Sequence, residues 1–183
     1  MTKADEILRE IEALAQREFL PIVGPIKGKI LAEAVRKAEP KYVLEVGTLI
    51  GYSAVLIAKE LSADAEITTI EIHAEEAEAA EENIRRAQIV PKINVIAGDA
   101  IEVIPKLKDC FDAVFIDAEK TEYYEYLKLM EDKLHRGTVV VADNAGIFAD
   151  QMQNYLNYVR NSGKFKSTYF QVGNDGVEVS VKL

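Results

Sequence analysis

The feature that most constrains this chain is a rhythm that starts after Pro40. Short apolar runs at Tyr42 to Val46, Ile67 to Ile70, Ile93 to Ala97, Ala113 to Ile116 and Thr138 to Ala142 alternate with longer stretches of helical spacing. Strands interleaved with helices at this interval predict a parallel sheet covered on both faces. Lys166 to Val172, the turn Gly173-Asn174-Asp175-Gly176, and Val177 to Val181 break the rhythm and read as an antiparallel hairpin closing one sheet edge. Ahead of the rhythm, residues 3 to 19 and the pattern through Ile30, Leu31, Ala34, Val35 and Ala38 read as amphipathic helices, separated at Pro21 to Pro25. At 183 residues the expectation is one domain, with 1–39 as N-terminal helices and 40–183 as a Rossmann-like core.

Composition narrows the function classes. The chain carries 31 acidic and 22 basic side chains, a net charge of −9, which disfavours a protein built to grip nucleic acid. No apolar stretch reaches the roughly 20 residues of a membrane helix, and the N-terminus has no signal-peptide pattern, so a cytoplasmic protein is expected. The single cysteine, Cys110, reads as a small core thiol. The acidic run from Glu75 to Glu82 reads as a solvated helix face paired with Arg85 and Arg86.

Two signals mark a nucleotide site. Leu44 to Ser53 joins a strand to a helix, where ligands of a parallel sheet bind; Gly47 admits close backbone approach, Gly51 opens the helix toward a negative group, and Ser53 adds a hydroxyl. Glu71 ends the next strand, suited to both hydroxyls of a ribose, with Gly98-Asp99-Ala100 beside the base. The Gly-x-x-x-Gly spacing lacks both the dinucleotide fingerprint and the phosphate-loop Lys-Ser/Thr. A separate cluster follows the later strands. Asp117 and Asp143 each end an apolar run and Asn144 adds a neutral carbonyl, a hard-oxygen set suited to magnesium, whereas His73 and His135 lie in or beside predicted helices and make poor zinc candidates.

Val23-Gly24-Pro25-Ile26-Lys27-Gly28, Leu44 to Ser53, Glu71-Ile72, Phe115 to Lys120 and Gly137 to Asn144, in that order, resemble the metal-dependent S-adenosylmethionine O-methyltransferases of the catechol and caffeoyl-coenzyme A type. The resemblance implies a seven-stranded, mostly parallel sheet with a reversed final strand. It implies that Val23, Glu45, Gly47 and Ser53 surround the methionine end of the cofactor, with Glu71 on the ribose and Asp99, Ala100 and Asp117 near the adenosine or reacting centre. It also implies a divalent cation on Asp117, Asp143 and Asn144, Lys120 as the base and a small hydroxyl-bearing acceptor. A bound cation would stabilise the acceptor oxyanion while the base takes its proton. The chain departs from the family in lacking the insertion after Asp143-Asn144, in having Glu119 where the catechol enzymes carry tryptophan, and in a brief hairpin. A nitrogen or macromolecular acceptor without a metal is the alternative reading, and a noncatalytic module a further one. The apolar face Ile7, Leu8, Ile11 and Leu14 is expected to pack on the body or in a homodimer.

Overall fold

The computed structural model describes residues 1–183 and places the five apolar runs side by side as strands. In chain order the elements are α1 (Lys3–Ala15), α2 (Gly24–Ala38), β1 (Tyr42–Val46), α3 (Tyr52–Ala58), β2 (Glu66–Glu71), α4 (Ala74–Ala87), β3 (Lys92–Ala97) and α5 (Ala100–Val103). They continue with β4 (Phe111–Ile116), α6 (Tyr123–Met130), β5 (Leu134–Ala142), α7 (Gln153–Asn161), β6 (Phe165–Val172) and β7 (Asp175–Lys182). The seven strands form one sheet in the order β3-β2-β1-β4-β5-β7-β6. Pairing is parallel from β3 to β5, and β7 runs antiparallel to both β5 and β6. Six strands therefore share a direction and the final one is reversed, as the resemblance implies.

Alternation along the central strands builds two cores. Val43, Ala113, Phe115, Val139 and Val141 face the α1–α4 side, while Leu44, Val114, Ile116, Val140 and Ala142 face α5, α6 and α7. Because both faces are covered, these strands read as unbroken apolar runs. Ile7, Leu8 and Ile11 of α1 are buried against the body, while Leu14 of the same face is exposed. No helix is long and apolar enough to cross a membrane.

Several expectations need correction. Gly24 and Pro25 open α2 rather than separate two helices, because proline is tolerated in a helix's first turn, where its missing N–H has no partner to lose. His135 lies in β5, where it, Arg136 and Gly137 are exposed between the buried Leu134 and the apolar run, and so escaped the apolar pattern. Cys110 is exposed, in the loop between Lys106 and Phe111 where the chain has not yet entered the sheet. Arg85 pairs with Glu82 at three residues' spacing, and Arg86 reaches Glu10 on α1. The hairpin loop is only Gly173-Asn174, since Asp175 and Gly176 already pair within β7.

Candidate active site

The sheet's order reverses between β1 and β4, which opens a crevice at the carboxyl ends of the parallel strands. One ladder bond past each strand end holds the loops in line. Gly47 N donates to Ile70 O at 2.9 Å, Gly98 N to Glu71 O at 2.8 Å, Asp117 N to Val46 O at 2.9 Å and Asp143 N to Ile116 O at 3.0 Å. A cleft of about 460 Å³ results, within the range of small-molecule sites. Gly47, Glu71, Asp99 and Ala100 line it with His73, Glu119, Glu122 and Tyr126.

Gly47 has φ +86°, and a Cβ there would lie 2.4 Å from the carbonyl oxygen of Asp117. Only glycine lets β1 and β4 leave the sheet this close together. A Cβ on Gly51 would lie 3.2 Å from Ala80 Cα, so glycine there also admits the close approach of α3 to α4. Leu49 between them adopts φ +51°, a left-handed conformation costing roughly 1–2 kcal/mol for a residue with a side chain. Its N–H donates to Glu71 Oε2 at 2.8 Å, and His73 N donates to Oε1 at 3.1 Å. Two bonds thus aim the Glu71 carboxylate, and each oxygen keeps a lone pair for a ligand. Glu71, His73 and Glu76 have side-chain ligand atoms within 4.8 Å of one another; Glu71 and His73 line this cleft and Glu76 does not.

Val23, Glu45, Gly51 and Ser53 do not line the cleft; they are buried beside it. Glu45 is fully buried and accepts from Thr69 Oγ1 at 2.5 Å, while its Oε1 and the nearby Thr48 Oγ1 have no partner. Burial pushes the Glu45 carboxyl above the usual range, against the opposing hydroxyls of Ser53, Thr69 and Thr48. A buried carboxylate with one unpaired oxygen is costly unless a cationic group meets it.

The second cluster lies at the ends of β4 and β5. Asp117 and Asp143 follow paired residues, Ile116 and Ala142, so the parallel register sets them adjacent. Lys120 Nζ donates to Asp117 Oδ1 at 2.8 Å, to Ala118 O at 3.0 Å and to Tyr123 Oη at 3.1 Å. Tyr123, unmarked by the sequence reading, is fully buried and donates to Asp143 O at 3.4 Å; burial raises its hydroxyl well above the ordinary phenol range, which keeps it protonated. Asp143 is 2% exposed, and burial together with Asp117 pushes it up to about 6 despite Lys27. Lys27 Nζ donates to Asp143 Oδ2 at 2.8 Å; it also lies 2.7 Å from Oδ1, but without hydrogen-bond direction, so that oxygen has no directed donor.

Lys27 and Asp175 are the members the sequence reading missed. Lys27 also donates to Asp175 Oδ2 at 2.8 Å. The signal for it was available, since Lys27 falls four residues before Leu31 and eight before Val35, on the buried stripe of α2. A lysine on an apolar stripe needs a buried partner. Asp175 gave no such signal, because an aspartate before glycine in a hairpin reads as turn chemistry.

Comparison with known proteins agrees with this architecture. The family model described as O-methyltransferase matches residues 2–161. Catechol O-methyltransferase B of Danio rerio is 39% identical over 180 residues, covering 91% of this chain and 67% of that protein. Catechol O-methyltransferase of Mus musculus is 33% identical over 163 residues, covering 85% and 61%. Among solved structures, the O-methyltransferase of tomaymycin synthesis from Streptomyces achromogenes, in complex with S-adenosylmethionine, superposes with TM-score 0.87 at 28% identity, covering 97% and 89%. The Bacillus cereus O-methyltransferase in complex with S-adenosylhomocysteine superposes with TM-score 0.86 at 25% identity, covering 99% and 90%. The chain belongs to the O-methyltransferase family.

Proposed function

We propose that this chain is a cation-dependent O-methyltransferase that moves a methyl group from S-adenosylmethionine to a hydroxyl of a small acceptor. The observation that carries the reading is the pairing of two unlike clusters at one sheet edge: an acidic nucleotide cleft, and an Asp-Asp-Asn set with a lysine in contact. The cofactor fits the first. Glu71 lines it and is aimed with capacity for two ribose hydroxyls, while Glu45 lies buried beside it. The cation fits the second, where two carboxylates and an amide oxygen offer the hard ligands magnesium prefers while leaving positions for water and substrate oxygens.

When bound, the sulfonium supplies the methyl group and the cation supplies Lewis acidity to the acceptor oxygen. The chain supplies geometry and proton handling. Asp117, Asp143 and Asn144 hold the cation, Glu45 and Glu71 fix the two ends of the cofactor, and Asp99 and Ala100 flank its base. Lys120 Nζ, tied to Asp117 and Tyr123, stands beside the cation set and would take the acceptor's proton only as the free amine, after one of its own protons has passed to solvent. Tyr123, protonated and buried, holds Lys120 against the strand end. We further propose that residues 1–183 work as one domain in the cytoplasm.

The test is methyl transfer to a panel of vicinal diols and phenols with a labelled donor. Chelator should abolish turnover and magnesium restore it. Asp143→Ala should lose cation-dependent turnover while S-adenosylhomocysteine still binds, and Lys120→Met should lower turnover by about 10²–10⁴-fold with cofactor affinity kept. Full turnover in chelator, or in Lys120→Met, sinks the corresponding role.

A further inference from the structure

Asn144 is the one neutral member of the candidate cation set, and its two side-chain prongs are chemically opposite. One is an oxygen that can hold a cation; the other is an NH₂ that repels it. Which prong faces the site decides whether Asn144 is a ligand at all. Its backbone is at φ +59°, in the left-handed region that asparagine tolerates better than most residues.

The neighbour that decides the matter is Asp175, arriving from β7. Asn144 Nδ2 donates to Asp175 Oδ2 at 2.9 Å. An ionised carboxylate accepts only, so the NH₂ prong must face it and the amide oxygen must face away. Every bond the Asp175 carboxylate makes is an accepted one: Oδ2 takes Lys27 Nζ and Asn144 Nδ2, and Oδ1 takes Gly146 N and Ile147 N. The same side chain is itself immobilised. Its Oδ1 accepts from Gly146 N at 3.2 Å and Ile147 N at 3.0 Å, while Lys27 Nζ bridges its Oδ2 to Asp143 at 2.8 Å on either side. One carboxylate on the last strand therefore sets the amide of Asn144, the loop that follows it, and the lysine that holds Asp143.

We infer that Asp175 is a positioning residue for the cation site: it locks the Asn144 amide with its oxygen presented as a ligand, without itself touching the cation. This rests on the cation-site reading of Asp117, Asp143 and Asn144. Outer partners that orient metal ligands are typically worth 10–100-fold in metal affinity.

The isosteric Asp175→Asn exposes the mechanism. Its amide oxygen can keep the two loop N–H groups, so its NH₂ falls where Oδ2 was, facing the NH₂ of Asn144. Asn144 must then turn over and present NH₂ to the cation. Adding Asn144→Asp restores a hydrogen bond of reversed polarity and returns an oxygen to the site. Manganese binding, measured by calorimetry and by the loss of the free-ion electron paramagnetic signal, should weaken by about 10–100-fold in Asp175→Asn. It should recover to within about twofold of the unsubstituted protein in the double substitution. S-adenosylhomocysteine affinity should be unchanged throughout. If Asp175→Asn does not fold, Asp175→Ala removes the lock without reversing it and should still weaken manganese binding, undiminished affinity overturning the inference.

The outcomes separate the two readings. No manganese binding to the unsubstituted protein, or binding that Asp143→Ala leaves intact, overturns the cation site and this inference with it. Binding that Asp143→Ala abolishes upholds the site. Within that case, undiminished affinity in Asp175→Asn, or additive losses in the double substitution, overturns the inference alone, because a mere tether for the loop predicts additivity.

Discussion

Replacing Gly47 with alanine tests the claim that β1 and β4 are held at the closest approach their backbones allow. Three effects enter. Holding a residue with a side chain near φ +86° costs roughly 1–2 kcal/mol. Moving the Asp117 carbonyl out of a 2.4 Å contact costs about 1–3 kcal/mol, the usual range for overpacking. The lower entropy of the unfolded alanine chain returns about 0.4–1 kcal/mol. The net loss is about 3 kcal/mol, or about 6–12 °C in melting temperature for a domain of this size. Gly163 supplies the control, since it has φ +74° with nothing within 4 Å of its Cβ position. Gly163→Ala should therefore lose only about 1 kcal/mol, and the gap between the two variants measures the steric contact. Urea denaturation followed by circular dichroism gives both numbers, and calorimetry with S-adenosylhomocysteine reports the site. Asp117 is bonded to Val46 through its own N–H, so the displacement should carry it away from Asp143 and weaken cofactor binding as well. Equal losses in the two variants, or an unaltered cofactor affinity in Gly47→Ala, would refute the reasoning.

Other consequences are independent of that strand pair. Glu178 is 1% exposed and accepts from Arg160 Nε at 2.9 Å and Nη2 at 2.6 Å, so Arg160→Met strands a buried carboxylate and should cost about 3–5 kcal/mol in urea denaturation; a loss under about 1 kcal/mol contradicts this. His135 Nδ1 lies 2.9 Å from Arg136 O and Nε2 2.8 Å from Asp112 Oδ1, two acceptors that the protonated ring serves with both of its N–H groups. Those bonds raise its pKa above 6.5. Its contribution to stability is therefore complete below pH 6.5 and disappears as the pH rises through the folded value; Asp112→Asn should move its NMR titration back toward 6.5, and an unmoved midpoint rejects the pairing. Cys110 is exposed and should react with a thiol reagent in the folded protein at a rate that urea hardly changes, whereas protection until unfolding would place it in the core.

The strands were legible because burial on both faces leaves an apolar run that no helix of that length would need. Each observed strand lies within two residues of its run except β5, where a register shift follows the buried Leu134 and His135, Arg136 and Gly137 are exposed. Glu71, Asp117 and Asp143 were legible for a related reason, as charged residues that end apolar strands at one edge. Lys27, Tyr123 and Asp175 were not found, although Lys27 and Tyr123 bond to Asp143 and Asp175 bonds to Lys27 and Asn144. Tyr123 counts as one more aromatic on a core-facing helix, and its hydroxyl leaves no periodic trace. Asp175 acquires its meaning only when the final hairpin folds across the sheet, a contact that local pattern cannot encode.

The ion pair from Lys27 to Asp175 joins residues 148 positions apart, and the one from Lys27 to Asp143 spans 116. Contacts of such separation form late, after the intervening chain has been brought together. A nascent or partly unraveled chain can possess the Gly47 loop and Glu71 yet lack the lysine-carboxylate clasp. Methyl transfer would then report completed folding in an all-or-none way, and a molecule whose last hairpin has frayed would hold its methyl donor without spending it.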